Sequence, residues 1–202
     1  MRRSTTLAMM LIAASLGMGS MAQAALKPGD AAPAFSTQGA QAGKAFTFDI
    51  SAALKKGPVV LYFFPKAFTQ GCTLEAHAFA EATPQFKAMN TTVVGMSHDD
   101  IDTLKRFSTE ACRDQFAVAS DPQAATIKAY DAAAAANPER ADRISYVIGQ
   151  DGIGHIRMDL HGRLERQGGA GAQAPEIGQA AADQHDLAGD FVRRHTAGHH
   201  VG

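Results

Sequence analysis

Pro58-Val59-Val60-Leu61-Tyr62-Phe63-Phe64-Pro65 runs without a break into Lys66-Ala67-Phe68-Thr69-Gln70-Gly71-Cys72-Thr73-Leu74-Glu75. The six residues between the two prolines are apolar and β-rich, which is how a strand buried on both faces of a mostly parallel sheet reads. Helical spacing follows, with Leu74, Ala78, Ala82 and Phe86 four apart, and Pro84 is expected to kink or restart that helix. A cysteine therefore falls at a strand–loop–helix junction.

The pattern repeats outward from this junction. Thr91 to Met96 reads as a second short buried strand, and Asp99 or Asp100 can cap a helix whose apolar residues are Ile101, Leu104, Phe107 and Ala111. Phe116 to Ala119 is a third strand and Pro122 to Tyr130 a further helix. Ile144 to Ile148 runs into the hairpin signal Gln150-Asp151-Gly152. Strands alternating with helices, closed by a hairpin, give an α/β sandwich. Lys27-Pro28-Gly29-Asp30 is its irregular lead-in.

The two ends read differently. Arg2 and Arg3, the apolar run Leu7 to Leu16 and the small-residue site Ala22-Gln23-Ala24 make residues 1–24 a secretory signal peptide. Cleavage after Ala24 leaves 178 residues with a net charge of −3. Their compartment is oxidising, the periplasm in a Gram-negative cell. The expected folded domain covers 25–160. Residues 161–202 hold eight glycines and eight alanines with no strand signal, and are expected to form an atypical, poorly packed or disordered tail. A change of reading frame soon after Gly152 would account for the loss of pattern, and translating the other frames of the gene tests it. His195, His199 and His200 lie in that tail without a supporting carboxylate, so no metal site is assigned.

Composition narrows the function. Nineteen Lys and Arg against 20 Asp and Glu give a net charge of −1, which argues against a nucleic-acid binder with a broad basic surface. No segment beyond the signal approaches the roughly 18 apolar residues of a membrane span. Two cysteines exclude a disulfide scaffold and a cysteine-only zinc site. The chemistry must be local, and Cys72 is where it concentrates. A cysteine in a first helical turn lies over unpaired N–H groups and the positive end of the helix dipole, which favours the nucleophilic thiolate. An arbitrary cysteine is more often an inert buried thiol; the loop context reverses that expectation.

Pro65, Thr69 and Cys72 match Pro-x-x-x-Thr-x-x-Cys, and this stretch resembles the peroxiredoxin active-site motif. The string VVLYFFPKAFTQGCTLEA is similar to the Q-type peroxiredoxins, or bacterioferritin comigratory proteins, of the alkyl-hydroperoxide-reductase/thiol-specific-antioxidant superfamily. LKPGDAAPAF, VVGMSHDD, FAVASDP and RISYVIGQDG extend the resemblance from Leu26 to Gly152. It implies a thioredoxin-like sandwich, with a central mostly parallel sheet and flanking helices, and a peroxidase needing no cofactor. Cys72 would be the peroxidatic thiolate, Thr69 would hydrogen-bond the peroxide, and Pro65 would shield the sulfur. Arg143 would favour the thiolate and polarise the peroxide, a role suited to a permanent guanidinium with a forked donor set. Glu75 would orient Arg143. The substrates would be hydrogen peroxide and organic hydroperoxides, the reductant a thioredoxin-like dithiol, and the chain a monomer or weak dimer.

The second cysteine departs from the commonest pattern. Many Q-type members place a resolving cysteine five residues after the first, where this chain has His77, a solvated helix histidine. The remaining thiol, Cys112, fits members that carry the resolving cysteine on the next helix. Attack on the Cys72 sulfenic acid would give an intramolecular disulfide, and a passive thiol in a one-cysteine enzyme is the alternative. A thioredoxin-fold disulfide oxidoreductase would want Cys-x-x-Cys, but position 75 is Glu. A copper-chaperone-like metal module would want Cys-x-x-x-Cys, but position 76 is Ala.

Overall fold

The computed structural model describes residues 27–158 and the backbone of 164–166. The segment read as a signal peptide, most of the tail and His195, His199 and His200 lie outside the described residues. β1 (Ser36–Gln41) and β2 (Lys44–Asp49) form a hairpin that leads into α1 (Ile50–Leu54). The chain then alternates through β3 (Val59–Phe63), α2 (Gln70–Ala88), β4 (Thr92–Ser97), α3 (Ile101–Glu110), β5 (Ala117–Ser120) and α4 (Ala125–Ala129). A small ribbon of β6 (Ala133–Ala134) and β7 (Asn137–Ala141) precedes β8 (Ile144–Ile148), β9 (Gly154–Met158) and β10 (Leu164–Arg166).

The main sheet has the order β10-β9-β8-β3-β4-β5-β1-β2. The thioredoxin-like α/β sandwich is as expected, but parallel pairing is confined to β3–β4 and β4–β5. The flanks are antiparallel: tight turns at Ala42-Gly43 and Asp151-Gly152 close the β1–β2 and β8–β9 hairpins, and β1–β5, β3–β8 and β9–β10 also pair antiparallel. β3 lies at the centre with all five residues buried. Its period-two alternation sends Val60 and Tyr62 into the layer under α2 and α3, and Val59, Leu61 and Phe63 into the layer under α1 and α4. Gly95 on β4 gives Tyr62 its space, since a Cβ there would stand 2.6 Å from the ring.

Two local expectations need correction. α2 continues through Pro84 without a restart, because Cys72, Ala76, Phe79, Ala80, Thr83 and Phe86 keep one face buried on both sides of it. Pro84 itself is exposed, so its ring faces solvent and not the sheet. The buried face is therefore not the Leu74–Ala78 line, and Leu74 is 61% exposed. In the segment read as lacking strands, Leu164–Arg166 pairs antiparallel with Ile156–Met158. Three residues without an apolar run give no signal of their own, and the edge of β9 supplies the pairing.

Candidate active site

β3, β4 and β5 run parallel, so the loops after them gather at one end of the sheet. β8 is antiparallel to β3 and starts at that same end, which brings Arg143, one residue before β8, beside the loop after β3. This is the topological reason that residues 71 apart in sequence meet. Cys72 is the third residue of α2 and is 1% exposed. Thr69 precedes the helix with extended backbone, and the first intrahelical bond runs from the Thr73 N–H to its carbonyl at 2.9 Å. The N–H groups of Gln70, Gly71 and Cys72 precede that bond and form the positive end of the helix.

Arg143 binds both acidic partners at once. One guanidinium nitrogen, Nη2, donates to Cys72 Sγ at 3.4 Å, and the other, Nη1, pairs with Glu75 Oε2. Gly71 leaves room for the fork: a Cβ there would approach Nη2 to 3.2 Å. Burial pushes the Glu75 carboxyl up to about 7 against the pull of Arg143. Burial would also discharge Arg143, but Glu75 and Cys72 outweigh it and hold the guanidinium charged. The cost of burying the pair thus falls on the carboxyl.

Pro65 is half-buried at the start of the loop. The Thr69 hydroxyl donates to the Lys66 carbonyl at 3.1 Å, which leaves its oxygen able to accept a hydrogen bond. The structure thus brings Cys72, Arg143 and Glu75 into contact and sets Thr69 and Pro65 on the same loop.

Cys112 lies in the same core layer as Cys72 but takes no part in the Cys72–Arg143–Glu75 contacts. Both cysteines are free and buried. α3 carries the chain from the Cys72 end of the sheet toward the start of β5, about 15 Å over its ten residues. Cys112 follows its last turn, with its N–H on the Phe107 carbonyl at 3.0 Å. Burial, with a smaller contribution from Asp114, raises the Cys112 thiol far above its ordinary range, so in this state it is a protonated, poor nucleophile. Tyr62 lies in the same layer, and its buried hydroxyl has no hydrogen-bond partner among the described residues.

Sequence reasoning missed Asp99. It left Asp99 and Asp100 as alternative helix caps. Asp100 is the cap, accepting from the Thr103 N–H at 2.8 Å. Asp99 Oδ2 instead accepts the Ala67 N–H at 2.7 Å and the Ser97 hydroxyl at 2.9 Å. The doubled acid in SHDD was the one available signal: a helix needs a single cap.

The family description "AhpC/TSA family" matches residues 28–156. Peroxiredoxin Q, chloroplastic, of Populus jackii is 40% identical over 85 residues, 42% of this chain and 38% of that protein. Peroxiredoxin Q, chloroplastic, of Oryza sativa subsp. japonica is 39% identical over 79 residues, 39% of this chain and 35% of that protein. The chain spans less than half the length of these relatives. Among solved structures, peroxidoxin BcpB of Mycobacterium tuberculosis superposes with a TM-score of 0.63 at 25% identity, over 84% of this chain and 97% of that one.

Proposed function

We propose that the chain, which belongs to the AhpC/TSA family, is an exported thiol peroxidase that reduces hydrogen peroxide and organic hydroperoxides through Cys72. The observation that carries this reading is the single guanidinium of Arg143 touching the Cys72 sulfur and the Glu75 carboxylate at the start of α2. The Cys72 thiolate attacks the terminal peroxide oxygen and the O–O bond breaks. The departing oxygen leaves as water or alcohol after taking a proton, and Cys72 becomes a sulfenic acid. Arg143 and the helix N–H groups face the charge that moves from sulfur to oxygen. Thr69 accepts a hydrogen bond from the peroxide, and Pro65 keeps water from the sulfur.

Resolution falls to Cys112. Its sulfur displaces the sulfenic oxygen as water, using its own proton, and a Cys72–Cys112 disulfide results. A thioredoxin-like dithiol then reduces that bond by exchange. We take the first turn of α2 to unwind so that the two buried sulfurs meet, disulfide geometry requiring Cα atoms within about 7 Å. Export rests on the Arg2-Arg3, apolar and Ala22-Gln23-Ala24 series. One equivalent of hydrogen peroxide added to reduced protein should give a Cys72–Cys112 peptide on non-reducing mass spectrometry. Sulfenic or sulfinic Cys72 beside a free Cys112 would instead mean a one-cysteine enzyme.

A further inference from the structure

We propose that Asp99 is a positioning residue that latches the 65–69 loop closed, and so divides the enzyme's time between peroxide attack at Cys72 and disulfide formation with Cys112. The inference rests on the resolving role given to Cys112 above. Its basis is the link that the Asp99 carboxylate makes to the loop, through the Ala67 N–H at 2.7 Å.

Ala67 lies between Pro65 and Thr69. The same carboxylate oxygen is steadied by the Ser97 hydroxyl at 2.9 Å, and the Asp99 carbonyl accepts the Ser120 hydroxyl at 2.7 Å. Asp99 is thereby fixed to the ends of β4 and β5, while its neighbour Asp100 caps α3, the helix that leads to Cys112. The loop is held against a tendency to open. Phe68 has φ 63°, a left-handed conformation that is costly for a bulky side chain. Its ring is held by edge-to-face contact with Phe107 at 5.3 Å and by the Arg106 guanidinium at 5.1 Å. Phe107 and Arg106 also belong to α3. Two adjacent loop residues are therefore clamped, Ala67 by the Asp99 carboxylate just before α3 and Phe68 by an aromatic and a cation contact in the second half of that helix.

The two chemical steps need opposite loop states. Peroxide attack needs the closed loop, which keeps Cys72 at the helix start beside Arg143. Disulfide formation needs that turn unwound. Weakening the latch should slow the first step and speed the second, whereas general damage to the fold would slow both or leave both unchanged.

The experiment uses the full chain with Asp99→Ala, Asp99→Asn and Ser97→Ala. Asp99→Asn keeps an acceptor oxygen, and Ser97→Ala keeps the Ala67 bond. Asp99→Ala should lower the rate of Cys72 with hydrogen peroxide about tenfold, the scale of one charge-assisted hydrogen bond. It should raise the rate of disulfide formation severalfold and reduce sulfinic Cys72 at high peroxide in the same proportion. Amide exchange at Ala67 should lose protection. Asp99→Asn and Ser97→Ala should stay within about threefold of the parent. If Asp99→Ala does not fold, Asp99→Ser, too short to reach Ala67, should show the same opposed shifts. Rates that fall together, or that do not move, overturn the proposal. If the parent protein forms no Cys72–Cys112 disulfide, the resolving role of Cys112 fails separately. The latch is then judged on the peroxide rate: a fall reversed by Asp99→Asn supports it, and an unchanged rate overturns it.

Discussion

Replacing Arg143 with alanine separates chemistry from packing at this site. Nη2 lies 3.4 Å from Cys72 Sγ, a distance at which two full charges would interact by about 5 kcal/mol at an effective dielectric of about 20. That figure is a ceiling. The Arg143 side chain is 24% exposed and shares its charge with Glu75, so the value of a hydrogen bond to a charged group, about 1.5–3 kcal/mol, is the better guide. The rate of Cys72 with hydrogen peroxide should fall about 10- to 100-fold. The chain has no tryptophan, so competition with a haem peroxidase for limiting peroxide is a practical assay. The same variant strands a buried carboxyl. Glu75 is 11% exposed, and losing its partner should destabilise the fold, by less than the roughly 3–5 kcal/mol typical of a broken buried pair, because the carboxyl can take up a proton near neutral pH. Arg143→Ala combined with Glu75→Gln should recover stability without recovering rate. A single variant within about twofold of the parent rate, or a double variant that regains it, would refute the assignment.

Two further predictions concern stability. The Glu75 carboxyl has a folded-state value of about 7 against an ordinary 4.5, so its ionisation opposes folding. The stability it contributes is complete below the ordinary value and is lost as the pH rises through about 7. Relative to the parent, Glu75→Gln should gain up to about 3 kcal/mol in urea unfolding between pH ~4 and pH ~8, and a flat or opposite trend would sink this. Gly95→Ala would press a methyl group to 2.6 Å from Tyr62 Cζ, in a ring held 4.4 Å from Phe79. It should cost about 1–3 kcal/mol, and an unchanged urea midpoint would show that the core yields there.

What the sequence made legible follows from how much of each element's signal is its own. Val59–Phe63 is buried on both faces, and Ile101–Glu110 carries its own cap and apolar stripe. Both could be read directly. The Ser36–Asp49 hairpin could not. Its strands are rich in small and polar residues, and β2 is an edge strand whose first four residues are exposed. α2 misled because its buried face is set by the sheet beneath it rather than by the most apolar residues, leaving Leu74 outside and Cys72 inside. At the site, Cys72, Thr69 and Pro65 were visible as a spaced motif, and Arg143 and Glu75 through resemblance alone. Asp99 was missed because its contact to Ala67 spans 32 residues, with no periodicity to announce it.

The central claim is that Cys72 is the peroxidatic nucleophile, and the most direct test is peroxide consumption by the reduced chain beside Cys72→Ser and Cys112→Ser. The parent and Cys112→Ser should each consume one equivalent of hydrogen peroxide in a fast first turnover, far faster than a free thiol. Cys72→Ser should consume none on that timescale, because an unactivated hydroxyl is a much weaker nucleophile than a thiolate. A fast phase that survives Cys72→Ser, or a parent protein no faster than a free thiol, would contradict the account.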